Sequence, residues 1–280
     1  MIIRESTHQG SEAWDEWRST RATASEFDKI FTGGGKVSAQ RDSYMRLKAI
    51  QRKYKRRAWA GNAATDRGHE LEPISRNLWA ELSGREVREV ACIEHDNDLC
   101  GGSPDGIISH RGVDISGYET KAYNYDKHIG MIDRGVFPTA CKPQVHGALW
   151  LTGFSSWQFM IYHPDAMPFD YKVWEVSPDQ YTQDLGGEVL SFCEELDRRA
   201  DEFIDDFEKS MSGVSMKEAM PILEAKIAGM DEEARMDEEA RMDEEARMDE
   251  DIISSPPMSP ATTSLEIEFP LIDQWLEIKK

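Results

Sequence analysis

The chain has 280 residues, a mean hydropathy of -0.61, 39% apolar residues and a formal net charge of -20. That is enough for one sizeable core with part of the chain left outside it. No stretch approaches the ~20 apolar residues of a membrane span, and the N-terminal "MIIRESTHQGSEAW" lacks the apolar run of a secretory signal. The four cysteines, Cys92, Cys100, Cys141 and Cys193, form no C-x-x-C pair, so a zinc ribbon or iron–sulfur site has no support. Scattered thiols predict a reducing, cytoplasmic setting.

The acidic total argues against a polyanionic partner only if the charge is evenly spread, and it is not. Residues 213–280 hold 18 acids and 7 bases, a net of -11; residues 1–212 hold 35 acids and 26 bases, a net of -9.

"WDEWRSTRATASEFDKIF" predicts a short helix, a turn and a second helix capped by Thr23 or Ser25. "TGGGKVSAQ" reads as a mobile glycine-rich loop. "RDSYMRLKAIQRKYKRRAW" spaces Tyr44, Leu47, Ile50 and Tyr54 as one helix face. Arg46, Lys48, Arg52, Lys53, Lys55, Arg56 and Arg57 lie on the other, the most basic face of the chain. A helix is predicted from about Asp66 to Ser83, ended by Gly84 and disturbed at Pro73.

"REVREVACIEH" and "CGGSPDGII" predict a strand pair, and "GYETKAY" a third strand. "TACKPQVHGALWLTG" predicts a helix ending near Gly153. "SSWQFMIYHP" and "DYKVWEVS" predict two further strands. A long amphipathic helix from Pro178 to Lys209, with a break at Gly186–Gly187, closes the domain. This order describes an α/β domain with a central mixed β-sheet flanked by helices.

Residues 1–212 form the expected domain. Residues 213–264 read as an acidic flexible linker that contains "MDEEAR" three times over Met230–Arg247. Its six-residue period leaves no apolar face on a helix. Residues 265–280, "LEIEFPLIDQWLEIKK", read as an apolar docking segment.

The chemistry-bearing residues cluster in "GGSPDG" and "YETKAY". The Pro-Asp-Gly turn presents the Asp105 carboxylate, and strand alternation sets Glu119 and Lys121 on one face. Two hard carboxylate ligands, with the Thr120 carbonyl as a third oxygen, suit Mg²⁺, which keeps water and substrate oxygens in its remaining positions; Mn²⁺ is expected to substitute. Lys121 is expected to orient or deprotonate the attacking water and to offset phosphate charge. Taken alone, the three residues more readily describe an exposed charge pair beside a turn-capping Asp. Two further segments add weight. "RGHELEP" brings Glu72 before the sheet, and "KPQVHGALW" brings Gln144 after it, placed to orient water or phosphate. His69 is expected to be structural or at most a peripheral ligand, and His146 to contact phosphate or water.

The ordered series "EAWDEWRSTRATASEF", "RGHELEP", "GGSPDG", "YETKAY" and "PQVHGALW" resembles the phage-type alkaline exonucleases. These are the lambda exonuclease and YqaJ-like viral recombinase group of PD-(D/E)xK nucleases. The resemblance implies a restriction-endonuclease-like core and a Mg²⁺-dependent 5′→3′ exonuclease on double-stranded DNA ends. It also implies a single-strand annealing protein as partner, and a homo-oligomer in the form of a trimeric ring. It maps the metal-binding acids onto Glu72, Asp105 and Glu119, the catalytic lysine onto Lys121 and the helix glutamine onto Gln144. Arg18 and Ser25 take the grip on the 5′ phosphate, which fits an Arg fork beside a hydroxyl near a helix start. Arg52, Lys53, Lys55 and Arg56 are expected on the DNA backbone. The alternatives are a structure-specific or single-strand nuclease of the same superfamily, or a DNA-binding recombination scaffold.

Overall fold

The computed structural model describes residues 2–4, 8–55 and 63–210. The chain divides into two units, Met1–Met242 and Asp243–Lys280, and every described residue lies in the first. The acidic repeats, the C-terminal segment, the predicted boundary at 212 and Arg56 lie outside the described residues.

Strand β1 (Ile2–Arg4) precedes helix α1 (Glu12–Thr20), which starts at Ser11, whose hydroxyl accepts the Trp14 N–H at 3.3 Å. In place of the second predicted helix come strand β2 (Ala22–Thr23) and a six-residue 3-10 turn (Ala24–Lys29). Thr23 stands at the N-cap position of that turn, but its hydroxyl donates to Glu26 instead of capping backbone.

The glycine-rich stretch is held rather than loose. Thr32 N–H donates to Lys36 O at 2.7 Å, and the Tyr181 hydroxyl donates to Thr32 O at 3.1 Å. A Cβ on Gly33 would fall 2.1 Å from the Thr139 carbonyl oxygen, so only glycine permits this approach.

Helix α2 (Arg41–Tyr54) buries Tyr44, Leu47 and Ile50 as their spacing predicts. Its expected basic face is corrected in part. Lys48 is fully buried, the Arg46 guanidinium lies 4.6 Å from the Phe203 ring centre, and Arg52 pairs with Asp197 at 2.6 Å. Helix α3 (Ala63–Ser83) runs through Pro73 without ending, and Gly84 follows it with a φ of +64°.

Five strands follow where three were expected: β3 (Glu86–Arg88), β4 (Cys92–Glu94), β5 (Cys100–Gly102), β6 (Gly106–His110) and β7 (Val113–Lys121). Helix α4 (Tyr125–Arg134), capped by Asn124, was not legible in the sequence. Helix α5 (Lys142–Thr152) ends at Gly153 as predicted, and β8 (Trp157–Tyr162) and β9 (Tyr171–Val176) fall on their predicted segments. Helix α6 (Gln180–Ser210) is unbroken at Gly186–Gly187. The glycine serves packing there, because a Cβ on Gly186 would sit 2.3 Å from the Trp150 indole nitrogen.

The strands form two sheets, β1-β4-β5-β2 and β3-β6-β7-β8-β9. In the larger, mixed sheet β7 runs antiparallel to β6 and parallel to β8. Strand β8 is buried on both faces, as a central strand must be. Trp157, Phe159 and Ile161 meet α5 residues Val145 and Leu149 on one face, whereas Met160 and Tyr162 join Trp79 of α3 and Tyr118 on the other. A separate cluster joins Phe27 and Ile30 to Tyr44 and Met45 of α2 and to Val189 and Phe192 of α6. All four cysteines are buried. Among the described residues no helix is long and apolar enough to cross a membrane.

Candidate active site

Strand pairing assembles the site. Gly106 of β6 pairs with Tyr118 of β7, so one step outward Asp105 falls opposite Glu119. The Thr120 N–H donates to Asp105 Oδ2 at 2.7 Å and locks that carboxylate against β7. Two residues along β7, Lys121 Nζ donates to Glu119 Oε1 at 2.9 Å. Period-2 alternation thus places the acid and the ammonium together as predicted. Gln144, one turn into α5, donates through Nε2 to the same Glu119 oxygen.

Glu72 of α3 lies near enough for its charge to act on Asp105 and Glu119. Arg76, one turn further along α3, is a residue sequence reasoning missed. Its Nη1 donates to Asp105 O at 2.6 Å, and its Nη2 lies 3.5 Å from Glu72 Oε1 and 3.4 Å from Glu89 Oε2. The i,i+4 spacing of Glu72 and Arg76 was the available signal.

Electrostatics unite these groups. Burial, reinforced by Glu72, pushes Asp105 up to about 7. Burial and the Asp105 charge do the same for Glu119, which also reaches about 7. Glu72 is raised to about 7, mainly by burial, against the opposing pull of Arg76. Lys121 loses some basicity to burial, but Glu119 and Asp105 outweigh that and hold it above an ordinary lysine. Three neighbouring acids stay this hard to ionise despite Arg76 and Lys121, so the cluster is short of positive charge.

A divalent cation fits that shortage. Asp105 and Glu119 offer hard oxygens of the kind Mg²⁺ takes alongside water and phosphate oxygens. Among the described residues no three His, Cys, Asp or Glu side chains form a ready metal cage. The site offers two adjacent carboxylates, with Glu72 held towards Arg76.

The other predicted residues divide. Arg18 Nη2 donates to Ser25 Oγ at 2.9 Å, so the proposed phosphate pair is in direct contact. Lys53 is exposed, and Lys55 pairs with Glu16 at 2.8 Å. His146 is corrected: its Nδ1 meets the Thr182 hydroxyl at 2.7 Å and its ring packs on Tyr181, facing α6 rather than the acids. Two residues along a helix from Gln144, it necessarily points to a different side. His69 is exposed.

Comparisons with known proteins give the family and the fold. Residues 13–155 match the model of the YqaJ-like viral recombinase domain. The solved alkaline exonuclease LHK-Exo of Laribacter hongkongensis shares 28% identity, with a TM-score of 0.62 over 71% of this chain and 99% of that one. The same holds for its complex with dAMP. A phage-related exonuclease from Haemophilus somnus 129PT, 17% identical over 67% of this chain and 96% of that one, has a TM-score of 0.52 and shares the fold. No curated protein matches significantly. The mixed sheet with flanking helices is the restriction-endonuclease-like fold of these nucleases, and this chain belongs to the YqaJ-like viral recombinase domain family.

Proposed function

We propose that the chain is a DNA-hydrolysing nuclease of phage-type recombination, acting as a Mg²⁺-dependent 5′→3′ exonuclease on double-stranded DNA ends. The 3′ strand it exposes passes to a single-strand annealing protein. The observation that carries this reading is the convergence of Lys121 and Gln144 on one oxygen of Glu119, with Asp105 opposite it. The complex of the Laribacter relative with dAMP, a mononucleotide, accords with a product of end-wise cleavage.

Asp105 and Glu119 are the residues that would hold the cation, with Glu72 and the Thr120 carbonyl as further oxygens. When bound, a divalent cation neutralises phosphate charge and acidifies bound water. Lys121, whose Nζ lies 2.9 Å from Glu119 Oε1, orients or deprotonates the attacking water and offsets charge on the phosphate. Gln144 fixes the Glu119 carboxylate.

Arg18 and Ser25 grip a terminal 5′ phosphate, which confines cutting to one end and one strand. Lys53, Arg52 and Lys55 contact the DNA backbone, with Arg56 expected beside them. The acid partners of Arg52 and Lys55, Asp197 and Glu16, are 46% and 51% exposed. Such surface pairs are worth ~0–1 kcal/mol, so phosphates displace them at little cost. A homo-oligomer, a trimeric ring around the duplex, and a cytoplasmic setting complete the proposal.

The test is a time course on end-labelled linear duplex, with Mg²⁺, with Mn²⁺ and with chelator. Release of mononucleotides from 5′ ends, only with metal, is expected. Internal nicking or release from 3′ ends overturns the exonuclease reading.

A further inference from the structure

Lys48 lies in the middle of α2 with none of its side chain exposed. A buried ammonium carries a desolvation penalty of several kcal/mol unless it is well paired. Its Nζ lies 3.0 Å from Glu26 Oε2 and donates to the Arg18 carbonyl at 3.1 Å. Glu26 Oε2 also accepts the Thr23 hydroxyl at 3.0 Å and the Tyr44 hydroxyl at 3.2 Å. Thr23 Oγ1 is in turn 3.3 Å from Ser25 Oγ.

The network therefore bridges two segments. Arg18 stands in the last turn of α1, and Ser25 in the 3-10 turn beyond strand β2. Their side chains meet at the surface. Beneath them, Lys48 holds the backbone of the first directly and the turn of the second through Glu26 and Thr23. Buried ion pairs contribute little to stability compared with apolar residues of the same size. What this one does supply is a fixed separation between two donors that must converge on a single phosphate, where tolerances are ~0.5 Å.

We propose that Lys48 and Glu26 are positioning residues of the terminal-phosphate clamp and set the preference for 5′-phosphorylated over 5′-hydroxyl ends. This rests on the Arg18–Ser25 reading above. Losing the bridge lets the end of α1 and the 3-10 turn drift apart. Binding of the end phosphate then weakens, while the chemistry at Glu119 and Lys121 continues.

The experiment compares the full chain with K48M, E26Q and the paired apolar variant K48M/E26M. Initial rates and KM are measured on linear duplexes with 5′-phosphate or 5′-hydroxyl ends. The paired variant removes the buried Lys48 and Glu26 charges together but takes the acid 3.7 Å away from Lys29, so the Tm of each variant is measured alongside and only folded protein is compared. All three variants are expected to cut the phosphate-to-hydroxyl ratio of kcat/KM about 5-fold or more, equivalent to ~1 kcal/mol. The loss falls on KM for phosphorylated ends, and hydroxyl-ended substrate is digested at the parental rate. K48R restores part of the ratio. An unchanged ratio in folded K48M/E26M and E26Q overturns the proposal. R18Q separates the causes: if it abolishes the preference while the Lys48 and Glu26 variants do not, the positioning role alone fails. If R18Q also leaves the ratio intact, the clamp itself is wrong.

Discussion

Lys121 and Glu119, two residues apart on β7, are joined by an ion pair of 2.9 Å in which the acid is almost fully buried and the lysine one-third exposed. Part of the lysine side chain is thus open to solvent, while its partner is held inside.

Removing either member is expected to stop cutting. Lys121→Ala and Glu119→Ala each lower metal-dependent nucleotide release by ~100-fold or more, the scale seen when one preorganised charge-stabilising group is lost. Circular dichroism should show the fold intact in both. Parental activity in both variants would show that the chemistry lies elsewhere.

Asp105, Glu119 and Glu72 titrate near 7 in the folded protein and near ordinary carboxylate values when unfolded. Between about pH 4 and 7 the folded state therefore holds more protons than the unfolded state, and stability falls as pH rises. With chelator present, Tm should decline across that window and then level off. Divalent cation binds the ionised form, so its stabilising effect should grow over the same range. The double variant D105N/E119Q should flatten both trends. A Tm in chelator that rises between pH 5 and 7 only in the parent protein contradicts the assignment.

Gly147 of α5 faces Phe27 closely enough that a Cβ would lie 2.5 Å from the ring. Phe27 is fully buried and belongs to the turn that carries Ser25. Gly147→Ala is expected to destabilise the protein by about 1–3 kcal/mol through overpacking. Chemical denaturation measures this; an unchanged midpoint would mean the helix and turn are not in firm contact.

Deletion of residues 213–280 should leave the rate of duplex digestion close to that of the full chain. The acid cluster and the Arg18–Ser25 pair both lie within residues 18–144. Initial rates of the shortened and complete proteins give the answer. Loss of cutting would assign the tail a structural part.

Much of this protein was legible in the linear chain because the signals are local. Strand periodicity put Glu119 and Lys121 on one face, Gly153 stopped α5, and β8 and β9 announced themselves by apolar, β-favouring composition. Tertiary structure decided what depends on residues far apart in sequence. Asp105 faces Glu119 only through the β6–β7 register, and Arg76 reaches the Asp105 carbonyl only once α3 lies against the sheet. Gly186 reads as a helix breaker until Trp150 fills the space over it. Lys48 reads as a surface base until Glu26 and the Arg18 carbonyl surround it. In each case periodicity assigns a side chain to a face, but the partner that makes burial favourable comes from another segment, and only the folded chain brings the two together.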